Sequence, residues 1–248
     1  MVPWMCGRFV AASPPAEIAA YFGVEAMAEE LTSGDDAEPN YNVAPTTDIF
    51  VVYADGGLRR LDPFHWGLVP SWAKEIKIGN RMINARGETI ATNGAFKSSF
   101  AKRRCIIPAD GFYEWKQLPG RKTKQPYYVH RPDDEPYAFG GLWAEWRGKD
   151  RDGAPLTLRS ATIITGEPNE KMAEIHDRMP LILPPSVWDD WLDPDLDDLD
   201  RLGTFLVPAP ASLISFHPVS TEVNNARHTG AQLMDEVDPE AQWATESP

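Results

Sequence analysis

The chain contains short β-like runs that are separated by turns rich in glycine and proline. The turns include Asp55-Gly56-Gly57 and Leu118-Pro119-Gly120, which favour reversal of the chain. Helical segments do not alternate regularly with these runs, so parallel strands joined by helical crossovers are not expected. We therefore predict an α+β fold in a single domain, with a mixed, mainly antiparallel and barrel-like β core and peripheral helices. The predicted strands are Ile49–Tyr53, Leu58–Trp66, Cys105–Ile107, Tyr127–Val129, Tyr137–Phe139 and Thr162–Thr165.

Three segments have the pattern of peripheral helices. Residues 14–31 show helical apolar spacing, with Ser13 as the expected N-cap and Pro14 at the first helical position. Residues 186–192 and 195–202 have the composition of short acidic helices.

The length of 248 residues fits one large domain with short appendages. We expect an N-terminal extension over residues 1–5 that is absent from the mature protein. The domain should span residues 6–234, and an acidic tail should follow over residues 235–248, with its last dozen residues frayed.

Composition excludes several classes of protein. No stretch approaches 18 consecutive apolar residues, and the N-terminus lacks the basic flank and apolar core of a secretory signal. Two cysteines, Cys6 and Cys105, are too few for a disulfide framework, which favours a reducing cytoplasm. The sequence has no Cys-x-x-Cys, paired-histidine, Walker or Gly-x-Gly-x-x-Gly pattern, so it predicts no metal or nucleotide cofactor. We expect a monomer that does not bind membranes.

The charge of the chain is strongly segregated. The net charge is −13, which argues against a protein that coats nucleic acids generally. Eighteen of the 37 acidic residues lie in residues 25–38, 186–200 and 235–248, and these ranges contain no lysine or arginine. Residues 71–131 instead carry 13 basic and four acidic residues. An acidic protein with one basic face is compatible with binding a single nucleic-acid strand.

Cys6 has an unusual neighbourhood, because it directly follows a methionine in Met5-Cys6-Gly7-Arg8-Phe9. An isolated cysteine is more often a small buried hydrophobic residue. If translation starts at Met5 and this methionine is removed, Cys6 becomes the N-terminal residue. Its α-amine and thiol would then have pKa values of ~7.7–8.0 and ~8.5, so both nucleophiles would be partly deprotonated near neutrality. A 1,2-aminothiol prefers aldehydes, which it captures first as a Schiff base and then as a thiazolidine ring.

Two aromatic and polar segments carry further candidates. Trp66 and Trp72 surround a Gly–Pro turn, and we expect Trp66 in the core. For Trp72, core packing and an exposed stacking surface are both open. Asn84 and Arg86 belong to Asn84-Ala85-Arg86-Gly87-Glu88-Thr89. Here an ordinary capped turn competes with a site in which Asn84 bonds a reacting group and Arg86 clamps a phosphate.

Glu114 and His176 are candidate proton-transfer groups. Strand alternation should place Glu114 on the face of Phe112, with Tyr113 and Trp115 on the other face. Apolar neighbours would raise the pKa of Glu114 and suit general acid–base catalysis, although a salt-bridged glutamate is the simpler interpretation. His176 lies near the end of a short expected helix, where a charged imidazole is favoured, although solvated or core histidines are more common.

Together and in this order, the motifs resemble the SRAP family, the SOS-response-associated peptidases or abasic-site processing proteins. The resemblance spans residues 5–234 and implies a mixed, mainly β core. It also implies binding to single-stranded DNA that carries abasic sites, and association with the nucleoid when DNA is bound. The matching stretches are Met5–Phe9, Tyr41–Pro45, Trp66–Pro70, Asn84–Thr89, Cys105–Trp115, Ile175–Pro180 and His217–Ser220.

The resemblance also implies roles for individual residues. Cys6 would form a thiazolidine link to the ring-opened deoxyribose, which protects the lesion from strand cleavage. Asn84 would position the amine and the sugar. Glu114 would move protons, and His176 would assist Schiff-base formation and proton transfer at the sugar. The implied DNA contacts are Arg8, Arg86 and Arg178 at phosphates and Trp72 near the lesion.

Two other functions stay open on the sequence. A thiol peptidase could use Cys6 with His176 and Glu114, and self-cleavage would remove the N-terminal extension. A non-covalent single-strand binding module would leave Cys6 with a structural role only.

We predict that the mature protein begins at Cys6, because an internal cysteine has no free α-amine and cannot form a thiazolidine. Intact-mass measurement of protein expressed from its native locus tests this expectation. A mature chain that begins at Met1 or Val2 would exclude the cross-linking chemistry for this protein.

Overall fold

A computed structural model describes residues 7–32, 38–150 and 152–241. Cys6 and the predicted extension over residues 1–5 lie outside the described residues, as do residues 242–248 of the predicted tail.

Within the described ranges the chain forms thirteen strands, five α-helices and several short 3-10 helices. The strands are β1 (Phe9–Ala11), β2 (Ala26–Met27), β3 (Asn40–Val43), β4 (Asp48–Asp55), β5 (Leu58–Trp66), β6 (Asn84–Arg86), β7 (Arg104–Ala109), β8 (Gly111–Lys116), β9 (Gln125–His130), β10 (Tyr137–Lys149), β11 (Pro155–Gly166), β12 (Met179–Pro180) and β13 (Ser215–Pro218). The α-helices are α1 (Pro15–Phe22), α2 (Glu29–Thr32), α3 (Lys97–Lys102), α4 (Trp188–Leu192) and α5 (Leu199–Gly203).

Five of the strands close into a barrel. Antiparallel pairs join β5 to β4, β4 to β7, β7 to β10 and β10 to β11. A parallel pair closes the ring, with Ser160 and Ala161 of β11 opposite His65 and Trp66 of β5. Strand direction can alternate around a whole ring only when the number of strands is even, so a five-stranded ring needs a parallel pair. The predicted α+β fold with a mixed, mainly antiparallel and barrel-like core is confirmed.

A second, antiparallel sheet has five strands in the order β13-β9-β8-β1-β3. Strands β7 and β8 are almost continuous in sequence, and the chain passes from the barrel to this sheet at Asp110. The Asp110 carboxylate accepts hydrogen bonds from the N–H groups of Ala12 (2.6 Å) and Ser13 (2.9 Å) and from the Ser13 hydroxyl. These bonds fix the bend and attach the segment after β1 to it.

The prediction of one helix over residues 14–31 is wrong. Helix α1 is only eight residues long, and its N-cap is Pro14 instead of Ser13, whose hydroxyl is engaged at the bend. Gly23 ends α1 in the left-handed conformation (φ = 64°), which glycine adopts without strain. The chain then forms β2, because the edge of β5 offers it parallel hydrogen-bond partners. The apolar spacing within residues 14–31 gives no information about pairing with a strand that is distant along the chain.

The other predicted elements are present, some with different lengths. Strand β5 has the predicted bounds, whereas β10 and β11 extend to 13 and 12 residues. The acidic segment 186–192 contains α4, and segment 195–202 contains most of α5, which Asp198 caps. No helix in the described ranges is long and apolar enough to cross a membrane.

Alternate side chains of the barrel strands pack into two cores. The shared core contains residues of both sheets, including Phe9, Trp66, Phe112 and Phe139. The ring centroids of Phe9 and Trp66 are 5.1 Å apart in an edge-on arrangement, which joins the sheets directly. The helical core lies on the opposite face of the barrel strands, where the helices pack. Its members include Ile18, Phe22, Phe100, Trp191 and Leu202.

The Trp72 loop, residues 68–82, leaves the barrel and returns at a close backbone crossing. The Leu68 N–H donates to the Met82 carbonyl oxygen over 3.1 Å, which joins the two ends of the loop. A Cβ atom at Gly79 would lie 2.4 Å from the Gly67 carbonyl oxygen, and Gly67 itself has a φ of 130°. Only glycine permits both the contact and the conformation at this crossing.

We predict that Gly79→Ala lowers the free energy of unfolding by about 1–3 kcal/mol, because the added Cβ forces the two backbone segments apart. The melting temperature should fall by about 2–4 °C per kcal/mol, as measured by calorimetry. Gly94→Ala is the control, since a Cβ at Gly94 meets no atom within 4 Å among the described residues. Equal melting temperatures for the two variants would contradict the steric argument.

Candidate active site and nucleic-acid interface

The N-terminal motif enters the second sheet as β1. Phe9 lies opposite Phe112 of β8, and the Tyr113 N–H donates to the Arg8 carbonyl oxygen over 3.0 Å. Continued by two residues beyond the Phe9–Phe112 pair, the same register would place Gly7 opposite Glu114. Gly7 is buried, so this part of the motif lies inside the protein.

Glu114 is buried beside this motif. Only 1% of its surface is exposed, which is rare for a carboxylate. The predicted alternation is confirmed, because Phe112 belongs to the shared core while Tyr113 and Trp115 pack on the other face of the second sheet. Glu114 therefore faces the protein interior, on the strand that pairs with β1.

Asn84 and Arg86 lie on β6, which runs parallel to the carboxyl-terminal half of β11. Asn84 pairs with Ile163, and Arg86 pairs with Thr165. Alternation puts both side chains on one side of β6, with Asn84 half-buried and Arg86 exposed. A strand thus replaces the ordinary turn that competed with the functional interpretation.

Arg178 reaches the same end of β11, where the following β12 also pairs. Its guanidinium donates to both carboxylate oxygens of Glu88, with 3.0 Å to Oε2, and to the Thr165 carbonyl oxygen over 2.7 Å. The hydrogen bond from Arg178 holds the pKa of Glu88 below its usual value. Arg86 pairs with Thr165 through its backbone, and Arg178 binds the Thr165 carbonyl oxygen. These two predicted phosphate-binding residues are therefore neighbours.

His176 is held by its own loop, after a single 3-10 turn at residues 172–174 in place of the expected helix. Its side chain is 14% exposed, and Nδ1 lies 3.2 Å from the Arg178 backbone nitrogen and 3.0 Å from the Asp177 carboxylate. A ring protonated at Nε2 accepts the Arg178 N–H at Nδ1, which fixes its orientation.

These segments surround the shared core. Ile83 and Ile175, each one residue before a candidate site residue, pack there with Phe9 and Phe112. The structure thus brings the segments that carry Asn84, Glu114 and His176 to one region of the molecule.

The two tryptophans of the second motif have different environments. Trp66 is buried and donates its Nε1–H to the Ile83 carbonyl oxygen over 3.0 Å, as expected of a core residue. Trp72 is 62% exposed, which favours the surface alternative. The Trp72 loop is anchored by Trp146, which donates to the Ala73 carbonyl oxygen over 2.8 Å. The loop also exposes the basic residues Lys74, Lys77 and Arg81.

Arg8 is attached to the interior by one end of its guanidinium. Its Nη1 donates to Asn42 Oδ1 (3.0 Å) and to the Val223 carbonyl oxygen (2.9 Å), and burial lowers the pKa of Arg8. Sequence reasoning missed Asn42, which is 1% exposed. Its place in the Tyr41–Pro45 stretch was the available signal, but nothing in that stretch indicates a contact 181 residues away.

Cys105, in contrast, is fully buried in the shared core, and burial raises the pKa of its thiol. A cysteine in this environment is inert near neutral pH, because the thiolate is the nucleophile. Among the described residues, no cluster of three or more His, Cys, Asp or Glu side chains could hold a metal ion.

Comparison with known proteins identifies the family. The family described as SOS response associated peptidase (SRAP) matches residues 5–226. The abasic site processing protein YoaM of Bacillus subtilis is 42% identical over 231 residues, covering 93% of this chain and 98% of YoaM. The abasic site processing protein YedK of Escherichia coli is 34% identical, covering 94% of this chain and all of YedK. The chain belongs to the SRAP family.

Solved structures show the same fold. A protein from Bacteroides thetaiotaomicron covers 94% of this chain with a TM-score of 0.80 at 22% identity. A phage-related protein from Bordetella bronchiseptica covers 86% of this chain, with 94% of its own length matched, a TM-score of 0.65 and 31% identity.

The Arg178–Glu88 pair predicts a pH-dependent contribution to stability. Because the pKa of Glu88 is depressed in the folded protein, the contribution is present above the ordinary value of 4.5 and is lost as pH falls through the folded pKa. Glu88→Gln should therefore lower the free energy of unfolding at neutral pH by about 0.2–1 kcal/mol, since the Glu88 side chain is 46% exposed.

Urea unfolding of wild type and Glu88→Gln between pH 3 and 7 measures this difference. The two curves should converge in acid and separate above about pH 4.5. Glu167→Gln, which changes an exposed carboxylate outside this ion pair, serves as the control. A constant difference across the pH range would contradict an ionic origin.

Proposed function

We propose that this protein processes abasic sites by binding single-stranded DNA and capturing the lesion covalently through Cys6. Family membership supports the proposal, as do relatives named abasic site processing proteins. The observation that carries it is the burial of Glu114 on β8, the strand that pairs with β1 directly after the segment Cys6-Gly7-Arg8. A buried carboxyl group on this strand supports an acid–base role toward Cys6.

The chemistry follows from an N-terminal cysteine. A ring-opened abasic deoxyribose exposes an aldehyde at C1′. The Cys6 α-amine adds to this carbon and water leaves, which gives an imine. The Cys6 sulfur then bonds to the same carbon and its proton passes to the nitrogen, so aldehyde and aminothiol yield a thiazolidine and one water. An imine alone acidifies the C2′ proton and promotes strand cleavage, whereas ring closure removes the imine.

Three side chains would assist these steps. Glu114 would accept the proton released when the amine attacks and return it to the departing water, away from bulk solvent. Asn84 would hydrogen-bond the amine and the sugar from its half-buried position on β6. His176 would deliver a proton to the sugar oxygen as the ring opens, from a ring that the Arg178 N–H orients at Nδ1.

The DNA strand would follow the exposed cations and the exposed tryptophan. Arg8, Arg86 and Arg178 would contact phosphates, and Trp72 would stack on a base near the lesion. Arg86 and Trp72 are exposed in the free protein. Arg178 is held by Glu88, so a phosphate would have to share or replace that carboxylate.

A thiol autopeptidase is the second candidate function, and the description of the family as SOS response associated peptidase favours it. Self-cleavage directly before Cys6 would produce the N-terminal cysteine that lesion capture needs, so the two activities would act in succession. A non-covalent binding module would need no N-terminal cysteine.

We predict that protein beginning at Cys6 forms a heat-resistant adduct with an abasic single-stranded oligonucleotide on a denaturing gel. Cys6→Ala should abolish the stable adduct, because an α-amine alone gives a hydrolysable imine. Cys105→Ala is the control and should retain the adduct, since the Cys105 thiol is buried in the core.

Borohydride separates the two chemical steps. Cys6→Ser keeps the amine but lacks the thiol, so its adduct should persist only after the imine is reduced. Absence of any adduct with a verified N-terminal Cys6 would overturn the proposal. Turnover of peptides without a DNA adduct would favour the thiol peptidase instead.

A further inference from the structure

The C-terminal strap, residues 219–237, covers the outer face of the second sheet. Its apolar residues Val219, Val223 and Leu233 are all fully buried against residues of β1, β8 and β9. Backbone hydrogen bonds hold both of its ends: Val219 N–H donates to Pro126, and Val237 N–H donates to Pro218, each over 3.0 Å. The strap is thus an integral layer of the fold, and part of it lies beyond residue 226, where the family match ends.

Asn42 is the polar centre of the contact between the strap and the sheet. Its side-chain nitrogen lies within hydrogen-bond distance of three strap carbonyl oxygens, those of Val223 (3.2 Å), Asn225 (3.2 Å) and His228 (2.8 Å). Its Oδ1 accepts from Arg8 Nη1 over 3.0 Å. A buried amide that satisfies groups on two chain segments fixes those segments relative to each other.

Arg8 is oriented by the same group of atoms. Its Nη1 has two acceptors, Asn42 Oδ1 and the Val223 carbonyl oxygen, and two bonds at one end of a planar guanidinium fix the plane of the whole group. A guanidinium has five N–H donors in a rigid fork. The donors of Arg8 other than those on Nη1 therefore point away from Asn42 and Val223. Arg8 is half-buried, so the fork is not wholly enclosed.

We propose that Asn42 is a positioning residue, which with the C-terminal strap presents the guanidinium of Arg8 to a DNA phosphate next to the captured sugar. The proposal rests on the proposed function, because Arg8 must meet DNA. Arg8 also precedes β1 and follows the Cys6-Gly7 segment. The same hydrogen bonds therefore connect the strap, 215 residues away in sequence, to the segment that carries the nucleophile.

The dependence of DNA affinity on salt tests this role. For a single strand, the logarithm of the binding constant falls with the logarithm of salt concentration by ~0.7 for each phosphate contact. Binding is measured by fluorescence anisotropy on an oligonucleotide with a tetrahydrofuran site, which lacks the aldehyde and cannot be captured. Arg8→Gln and Asn42→Ala should each reduce the slope by ~0.7, and the double variant should also reduce it by ~0.7.

Asn224→Ala is the matched control. Asn224 lies in the strap and accepts a hydrogen bond from Trp115 Nε1 over 2.7 Å, but it does not contact Arg8. This variant loosens the strap and should leave the slope at the wild-type value. A purely structural Asn42 would lower the melting temperature of Asn42→Ala without changing the slope. That result would overturn the proposal, as would slope losses that add in the double variant.

A second variant and a second assay distinguish the possible outcomes. Asn42→Ser replaces Asn42→Ala if the alanine variant does not fold. The serine side chain is too short to bridge Arg8 and the strap, so the expected loss of slope is the same. The adduct gel on wild-type protein separates the two proposals. A wild-type adduct with unchanged slopes in the Asn42 variants defeats the positioning role alone, whereas a missing wild-type adduct defeats lesion capture.

Discussion

The parallel contact between β11 and β5 is the constraint on which the rest of the structure depends. It closes the barrel at Ala161 and Trp66, where β5 ends, while β11 continues for five more residues. That continuation is free to pair with β6 on one side and β12 on the other. The strand that completes the barrel therefore also gathers the segments that carry Asn84, Arg86 and Arg178.

The bend at Asp110 supplies the other half of the site. Because β7 belongs to the barrel and β8 to the second sheet, a single continuous segment fixes the position of Glu114 relative to both. Strand β1 then pairs with β8 and brings the N-terminal motif to the strand that carries that glutamate. The contact between Phe9 and Trp66 locks the two halves together, since it joins the first strand of the second sheet to the end of β5.

Local signals in the sequence predicted six of the thirteen strands, including all five strands of the barrel, because turns and apolar runs are local. The elements and contacts that the sequence did not predict depend on partners that are distant along the chain. Beyond the predicted segments, β10 and β11 are held by the packing of Trp146 with Leu156 and Leu158, and by ion pairs that place Glu145 2.7 Å from Arg147 and 3.7 Å from Arg159. The predicted helix was too long at α1, because β2 forms only by pairing with β5. Asn42 was missed because its bonds reach a strap at the other end of the chain.

The basic window over residues 71–131 has to be reinterpreted in the same way. Arg104 is 3% exposed and donates to backbone carbonyl oxygens, so its charge supports the fold. Arg131 is paired with Asp133 at the edge of the second sheet, and Lys102 lies 3.2 Å from Asp197. The exposed cations of the window include Lys74, Lys77 and Arg81 of the Trp72 loop, and Arg86 on the strand of Asn84. On the proposed function, a DNA strand would therefore meet fewer cations than the formal excess of that window suggests.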